Sequence, residues 1–331
     1  MSAGHRAEVA VDDDGTWCAW TDTTGRVRAM ALRGPESGRI VGLGPGASVR
    51  AGAGTGRFLL QDGDRVRSWS PAAGAREEAR AAPGALLLET RGAGPDGRTR
   101  LVTATSEELV LPSATGAPTV RPLDAPALLL AWQHRRRAVL CVLSDGTVLR
   151  ADPATGEVTA SALSGGGHHR LACYEEVLGG VWAVLEDAPR TLRFHRTETD
   201  PPEAVYRLDL EEPPEEVRAS HSGEWLIARN PGRRPTRLVN VNSGRAFDVP
   251  GELAARGAPC VFSFDNRLIS VEGDAVESLP VPARADIRSR DGSLDIDTFW
   301  EAPPQMHRAS RPQRPAPKNK EVDDGRVRAR S

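Results

Sequence analysis

The chain has 331 residues, of which 39% are hydrophobic, so it is long enough to bury a sizeable core in one large or two ordinary domains. The formal net charge of -2 argues against general nucleic-acid binding, which requires a concentrated positive field, and no apolar run is long enough to cross a bilayer. Lys318 and Lys320 are the only lysines, which excludes a Schiff-base or P-loop lysine from residues 1–317.

The first segment with the look of a cofactor motif is Gly38 to Ala47, G-R-I-V-G-L-G-P-G-A. It is close to the glycine fingerprint that cradles a dinucleotide pyrophosphate, and Asp62 and Asp64 follow at about the distance of a ribose-binding acid. A dinucleotide fold needs a helix directly after the glycines, and each further glycine in A-S-V-R-A-G-A-G-T-G-R costs about 1 kcal/mol of helix propensity. We therefore predict a glycine-rich turn between strands and expect no cofactor.

A strand-like apolar run recurs along the chain at intervals of 40 to 43 residues. Each run is followed by a short polar turn, a second strand, a further turn and two more strand-like pieces. The clearest copy is Ala127 to Ser164, in which Ser144-Asp145-Gly146 and the Asp152 to Gly156 turn join short strands as hairpins. The seven runs begin near Gly15, Gly56, Gly97, Arg137, Gly180, Gly223 and Asn266.

A four-stranded unit of this length cannot bury both of its faces alone, so we expect the units to stack and close into a ring. The hairpin S-D-G-T-V-L-R-A-D-P-A-T-G-E-V is similar to the consensus of WD40-like and PQQ-repeat-like proteins, and Trp69 lies where WD repeats often carry tryptophan. The chain thus resembles the β-propeller superfamily. The fold prediction is an all-β, seven-bladed β-propeller of four-stranded antiparallel blades over residues 1–302.

The remaining residues, 303–331, combine five prolines from Pro303 to Pro317 with many charges and few apolar side chains. A segment of this composition buries too little apolar surface to offset the conformational entropy that it would lose on folding. We predict a disordered C-terminal tail. A basic docking arm is the functional alternative to a solvated tether.

Acidic residues recur in the loops between the second and third strands of the units. Propeller geometry, implied by the resemblance, places these loops on one face, which predicts an acidic rim with arginines on the opposite face. The predicted rim, a binding surface for a basic protein partner, comprises Asp22, Asp62, Asp64, Glu107, Glu108, Asp145, Glu186, Asp187, Glu272 and Asp274. The opposite face would carry Arg33, Arg39, Arg91, Arg98, Arg135, Arg136 and Arg137.

Other chemistry-bearing residues are interpreted as structural. His168 and His169 follow three glycines and are expected to be an exposed loop pair, and His195 is expected at the surface near a strand end. The run Asp12 to Asp14 lacks the spacing of a calcium loop and is expected to cap a hairpin turn. Cys18, Cys141, Cys173 and Cys260 are too widely spaced for a zinc or redox motif and are expected to be buried thiols. Trp17, Trp182 and Trp225 share one phase of the repeat and are expected between blades.

The function predicted from this pattern is a non-enzymatic protein-interaction scaffold or sensing accessory module, monomeric, in a bacterial cytoplasm. Propellers of this kind resemble modules associated with MoxR-type ATPases and von Willebrand A-domain partners, which is an analogy of fold. No cofactor, metal, nucleic acid or membrane partner is expected. The alternative is a metal-dependent hydrolase or lactonase-like propeller, in which Asp22, Asp145 and Asp187 would project into the central channel.

Overall fold

The structure is a computed structural model that describes residues 8–22, 24–46, 48–90, 99–112, 117–230, 235–282 and 305–308. Within these residues the chain forms seven four-stranded antiparallel sheets and one short helix, which confirms the predicted seven-bladed propeller. Each sheet is one blade, numbered 1 to 7 from the N-terminus. No helix of the described residues is long and apolar enough to cross a membrane.

The strands follow chain order within every blade. Blades 1 to 4 comprise β1 (Val9–Val11), β2 (Trp17–Thr21), β3 (Arg26–Ala31) and β4 (Ile40–Pro45); β5 (Ser48–Ala51), β6 (Phe58–Asp62), β7 (Arg65–Ser70) and β8 (Gly74–Arg80); β9 (Leu86–Thr90), β10 (Arg100–Ala104), β11 (Glu108–Leu111) and β12 (Thr119–Pro122); and β13 (Ala127–Gln133), β14 (Ala138–Leu143), β15 (Thr147–Ala151) and β16 (Val158–Ala162). Blades 5 to 7 comprise β17 (His169–Glu175), β18 (Gly180–Leu185), β19 (Thr191–Arg196) and β20 (Glu203–Asp209); β21 (Glu216–Ala219), β22 (Trp225–Arg229), β23 (Arg237–Asn240) and β24 (Ala246–Asp248); and β25 (Cys260–Phe262), β26 (Arg267–Glu272), β27 (Ala275–Pro280) and β28 (Gln305–Arg308), with helix α1 (Glu252–Ala255) in the linker before blade 7.

Each blade runs outward from a central channel. In blade 4, Leu130 of the first strand pairs with Cys141 of the second, which pairs with Leu149 of the third, which pairs with Ala160 of the fourth. First strands line the channel and contact the first strands of adjacent blades. Because neighbouring strands are antiparallel, the turns between second and third strands share one face, here called the upper face, with the linkers between blades. The other turns lie on the lower face.

Apolar side chains fill the spaces between adjacent blades. Trp182 lies in a cluster shared by blades 5 and 6, and Trp225 in one shared by blades 6 and 7. Trp17 packs edge-on against Trp69 of blade 2, with ring centroids 5.6 Å apart. The prediction that these tryptophans pack between blades is confirmed, and large aromatic surfaces there contribute most to holding neighbouring sheets together.

The ring closes between blades 1 and 7 without exchange of a strand. Cys18 and Trp20 of blade 1 share a buried cluster with Ile269 of blade 7. The Trp20 indole Nε1–H donates a hydrogen bond to the Gly273 carbonyl at 2.9 Å. Side-chain packing and a few polar contacts therefore complete the ring.

The fourth strand of blade 7 comes from residues 305–308, inside the segment for which the sequence predicts a tail. Ser278 pairs with Gln305, and Ala275 pairs with Arg308. The predicted blade boundary at residue 302 thus differs from the structure by this strand, since blade 7 takes its outer strand from the start of that segment. Residues 283–304 and 309–331 lie outside the described residues.

The glycine motif of blade 1 is extended backbone. Residues up to Pro45 belong to β4, and Ser48 begins the next strand, so no helix follows the glycines among the described residues. A Cβ on Gly46 would lie 2.6 Å from a methyl group of Val27 and 3.6 Å from the Gln61 carbonyl. Gly46 therefore serves close packing at the blade linker, whereas Gly42 and Gly44 lie within β4 rather than in the predicted turn.

Candidate functional site

The predicted rim residues lie in the turns of the upper face, and contacts between loops tie neighbouring turns together. Arg28 bridges blades 1 and 7, because its Nε donates to Asp22 at 3.1 Å and its Nη1 lies 2.6 Å from Asp274. In blade 5, the Glu186 amide donates to the His168 carbonyl at 2.8 Å. These contacts fix the turns of blades 1, 5 and 7 relative to their neighbouring loops.

Part of the predicted rim is neutralised by arginines. Asp22 is only 6% exposed and accepts hydrogen bonds from the Thr24 hydroxyl, the Arg26 amide and Arg28. Burial alone would raise the pKa of Asp22, but these hydrogen bonds outweigh burial and lower it. The other paired rim acids are Asp64 with Arg80 at 3.1 Å, Asp274 with Arg28 at 2.6 Å and Glu272 with Arg256 at 3.3 Å. These acids hold the turns together and leave little negative charge for a partner.

The rest of the rim carries no ion pair with a described residue. We call this set the acidic arc; it spans blades 2 to 5 and consists of Asp62, Glu107, Glu108, Asp145, Glu186 and Asp187. Glu107, Glu186 and Asp187 are exposed, and the Asp145 carboxylate accepts only the Thr147 amide at 2.8 Å. Because exposed like charges on a rigid face add their fields, the arc is the part of the rim that can attract a basic partner.

The arginines predicted on the lower face are largely compensated. Arg33 pairs with Asp265, Arg39 with Glu36 at 2.5 Å and Arg135 with Glu198 at 3.4 Å. Arg91 and Arg98 lie outside the described residues.

The Asp12 to Asp14 run also lies on the lower face, where its carboxylates accept hydrogen bonds from the blade 2 loop. The Gly56 amide donates to Asp12 at 2.7 Å, and the Gly54 amide donates to Asp13 at 3.1 Å. This run therefore fastens two blades together as well as capping its own turn.

The central channel, about 860 Å³ in volume, has one charged wall and one apolar wall. On the charged wall, Glu8 accepts two hydrogen bonds from Arg50, at 2.6 and 3.0 Å. Glu216 accepts one from Arg218 at 2.6 Å and one from Arg229 at 2.7 Å. The opposite wall presents Leu128, Leu129 and Leu171. Sequence reasoning expected a channel but missed the charged side chains that line it, although charged residues in or beside the first strands of blades 1, 2 and 6 were a visible signal.

The structure does not bring the alternative metal ligands together. Asp22, Asp145 and Asp187 belong to the turns of three different blades, and none of them lines the central channel. The Asp22 carboxylate is already committed to its own turn. Among the described residues, no group of three or more His, Cys, Asp or Glu side chains is placed to hold a metal ion. The separation of these three carboxylates does not support the alternative function, a metal-dependent hydrolase with its site in the channel.

Two predictions about histidines are wrong. His168 is exposed as expected, but His169 is only 2% exposed and His195 is fully buried. Both rings lie between blades 4 and 5, where strand register sets which side chains face the neighbouring blade. From the sequence alone, a polar residue near a strand end is predicted to be exposed. Here the strand register instead directs these side chains toward the neighbouring blade.

All four cysteines are free and buried, as predicted. Burial raises the pKa of the Cys141 and Cys173 thiols to about 12 and that of Cys260 to about 11. Thiolates are the nucleophilic and metal-binding form of cysteine. These side chains are therefore inert parts of the inter-blade core.

Comparisons with known proteins bear on the fold. No protein-family model matches the chain, and no curated protein sequence matches it. Many solved structures share its architecture, among them the crystal structure of Kluyvelomyces marxianus Hsv2, a propeller protein. That structure is 10% identical, with a TM-score of 0.53, over 82% of this chain and 90% of that chain. At this identity the likeness shows the fold alone. The chain therefore has the β-propeller fold, and the comparisons identify no family.

Proposed function

We propose that this protein is a non-enzymatic interaction module that captures a basic protein partner on the acidic arc. The observation that carries the proposal is the contrast within one face: Asp22, Asp64, Glu272 and Asp274 are paired with arginines, whereas no acid of the arc forms an ion pair with a described residue. Unpaired charges on a rigid scaffold accelerate encounter and select a partner of opposite sign. The fold is compatible with this role, and the charges of the arc give the role its specificity.

The proposal extends to the setting of the protein. Four buried, unpaired cysteines are typical of a reducing compartment, which supports a cytoplasmic location. We propose a monomeric accessory module, and co-purification with MoxR-type ATPases or von Willebrand A-domain proteins would test that pairing. Light scattering of the purified chain would test the monomer.

The test of the arc is a triple charge reversal, Glu107→Lys, Glu186→Lys and Asp187→Lys. An arginine-rich peptide, followed by fluorescence anisotropy, serves as the basic probe. We expect the reversal to weaken binding at low salt by about tenfold or more, and added salt to weaken binding to the unsubstituted protein steeply.

The matched control reverses three exposed acids on outer strands, Glu77→Lys, Glu157→Lys and Glu203→Lys. It makes the same change in net charge away from the arc. If both triple variants bind the peptide equally, net charge explains the attraction and the arc is not the binding surface. Basic partners captured from cells should bind the unsubstituted protein and the control variant more tightly than the arc variant.

A further inference from the structure

The linker between blades 4 and 5 contains an unusual turn, Ser164 to Gly167, on the upper face. Gly165, Gly166 and Gly167 have φ values of +96°, +60° and +90°, which side chains other than glycine rarely adopt. All three residues are exposed, and none of their amide N–H groups donates a hydrogen bond to another described residue. The turn therefore presents three successive backbone donors without an acceptor.

The guanidinium of Arg193, from the third strand of blade 5, lies against this turn. A Cβ added to Gly165 would be 2.7 Å from Arg193 Nη1, so only a glycine allows this approach. Arg193 is half-buried and has neither an acidic partner nor a hydrogen bond among the described residues. This contrasts with Arg28, Arg57 and Arg237, each of which is paired with two carboxylates.

Two buried imidazoles lie beside the turn. His195 Nδ1 is 3.5 Å from the Ser164 hydroxyl, which itself accepts the Ala204 amide at 2.8 Å. His195 Nε2 and His169 Nδ1 are buried without a hydrogen-bond partner among the described residues, and the two rings are nearly perpendicular with centroids 6.4 Å apart. Burial lowers the pKa of both histidines, the charge of Arg193 lowers it further, and the Asp145 carboxylate acts in the opposite direction on His169. Among the described residues, the three glycine amides and the Arg193 guanidinium have no acceptor, although the Asp145 carboxylate lies in a neighbouring turn.

We propose that the turn at residues 164–167, together with Arg193, binds one oxyanion group, a phosphate or a carboxylate. Successive backbone N–H groups in a glycine-rich turn form an anion-binding concavity, and a guanidinium matches both oxyanions with paired hydrogen bonds. Asp145, Glu186 and Asp187 lie in the neighbouring turns of the same face, and their charge disfavours a polyanion such as nucleic acid. A single group at the end of a ligand fits this setting.

The test measures binding of inorganic phosphate and, separately, of acetate to the full chain by isothermal titration calorimetry. Binding of phosphate alone assigns a phosphoryl group, and binding of both assigns carboxylates as well. We expect Arg193→Gln to weaken binding of the anion about tenfold or more, because it removes the charge but keeps the side chain's approximate size. Thermal melting of each variant verifies that it is folded.

A pair of alanine substitutions within the turn provides a matched control. In Gly165→Ala the new methyl displaces the Arg193 guanidinium, whereas in Gly166→Ala it enters open space, and both positions have positive φ. We expect Gly165→Ala to lose binding as Arg193→Gln does, and Gly166→Ala to stay within about threefold of the unsubstituted protein. The proposal is overturned if neither anion binds, or if Gly165→Ala and Gly166→Ala bind equally.

Discussion

Gly180 begins the second strand of blade 5 with its backbone pressed against the third strand. A Cβ at this position would overlap the Phe194 ring and lie 2.6 Å from the His195 carbonyl. Its φ is not in the left-handed region, so the need for glycine comes from space alone. The same Phe194 ring packs on Trp182, with centroids 5.1 Å apart, so it cannot retreat without disturbing the core between blades 5 and 6.

We expect Gly180→Ala to lower the free energy of unfolding by about 1 to 3 kcal/mol, the usual cost of overpacking a dense core. Gly42→Ala is the control, because Gly42 also lies in a strand without positive φ and its Cβ would meet nothing within 4 Å. That variant should differ from the unsubstituted protein by less than about 0.5 kcal/mol in urea unfolding. Equal decreases in the free energy of unfolding for the two variants would show that the Phe194 ring moves aside without destabilising the protein.

Buried His195 makes stability depend on pH. Burial lowers its pKa from 6.5 to about 4, and the charges of His169 and Arg193 act in the same direction. Between these two values the unfolded imidazole binds a proton that the folded one does not, so the free energy of unfolding falls as the pH falls from about 6.5 to 4. Above pH 6.5 the imidazole is neutral in both states, so the free energy of unfolding no longer changes through His195.

Urea unfolding between pH 4 and pH 7.5 tests this dependence. His195→Gln should show a shallower loss of stability toward acid pH than the unsubstituted protein, because one titrating group has been removed. His168→Gln, at the exposed neighbour, should keep the original slope. Identical slopes in all three proteins would exclude His195 as a source of the acid sensitivity.

At the scale of elements, helix α1 depends on a strand of the next blade. The helix has four residues, and its N-cap, Gly251, provides no side-chain hydrogen bond. Glu277 of β27 provides the cap instead. Its fully buried carboxylate accepts hydrogen bonds from the amides of Glu252, Leu253 and Ala254 at 2.8, 3.1 and 3.3 Å. A charged acceptor at the first turn of a helix satisfies donors that would otherwise be buried unpaired.

Glu277→Gln should therefore lower the free energy of unfolding by about 2 kcal/mol, because one carboxylate oxygen becomes a donor facing amide donors. Glu252→Gln is the control from the same helix: this exposed side chain pairs with Arg256 at 2.7 Å, and its change should cost less than about 1 kcal/mol. Denaturant titrations of both variants give the comparison. A smaller loss for Glu277→Gln than for Glu252→Gln would contradict the capping role.

Elements differed in how well the sequence predicts them, for physical reasons. The second strands are the easiest, because strands such as β14 are buried along their whole length and give continuous apolar runs. Helix α1 is too short for any periodicity, and its stabilising group, Glu277, lies beyond β25 and β26 in the chain. Strand β28, Gln-Met-His-Arg, carries no clear alternation and gains its place from the open edge of β27.

At the scale of the whole molecule, the sequence predicts which face carries the acidic turns once the resemblance to propellers is accepted, because strands then alternate in direction within every blade. It does not predict which acids remain unpaired. The arginines that neutralise Asp22, Asp64 and Glu272 come from another strand of the same blade or from the linker before it, so strand register decides their proximity, whereas the Arg28–Asp274 pair depends on the closed ring. The Arg193 site escaped prediction for the same reason, since Arg193 and Gly165 are joined only by the fold.

Ring closure rests on packing and polar contacts between blades 1 and 7, which makes this interface the place where opening should begin. Trp20 is central to it, being buried and donating to the Gly273 carbonyl. Trp182, equally buried between blades 5 and 6, has an indole Nε1–H that finds no acceptor in the part of the chain that the structure describes. The two tryptophans thus differ chiefly in one hydrogen bond and in their place in the ring.

Trp20→Phe should therefore lower the free energy of unfolding by about 1 kcal/mol more than Trp182→Phe, because only the first removes a hydrogen bond, the one from the indole to the partly buried Gly273 carbonyl. Since local opening exposes amides to exchange, hydrogen exchange in β1 and β26 should accelerate in Trp20→Phe, and exchange in blades 3 and 4 should not. In Trp182→Phe the loss of ring volume is partly offset by removal of an unsatisfied donor. Equal stabilities with uniform exchange in the two variants would show that closure does not depend on this contact.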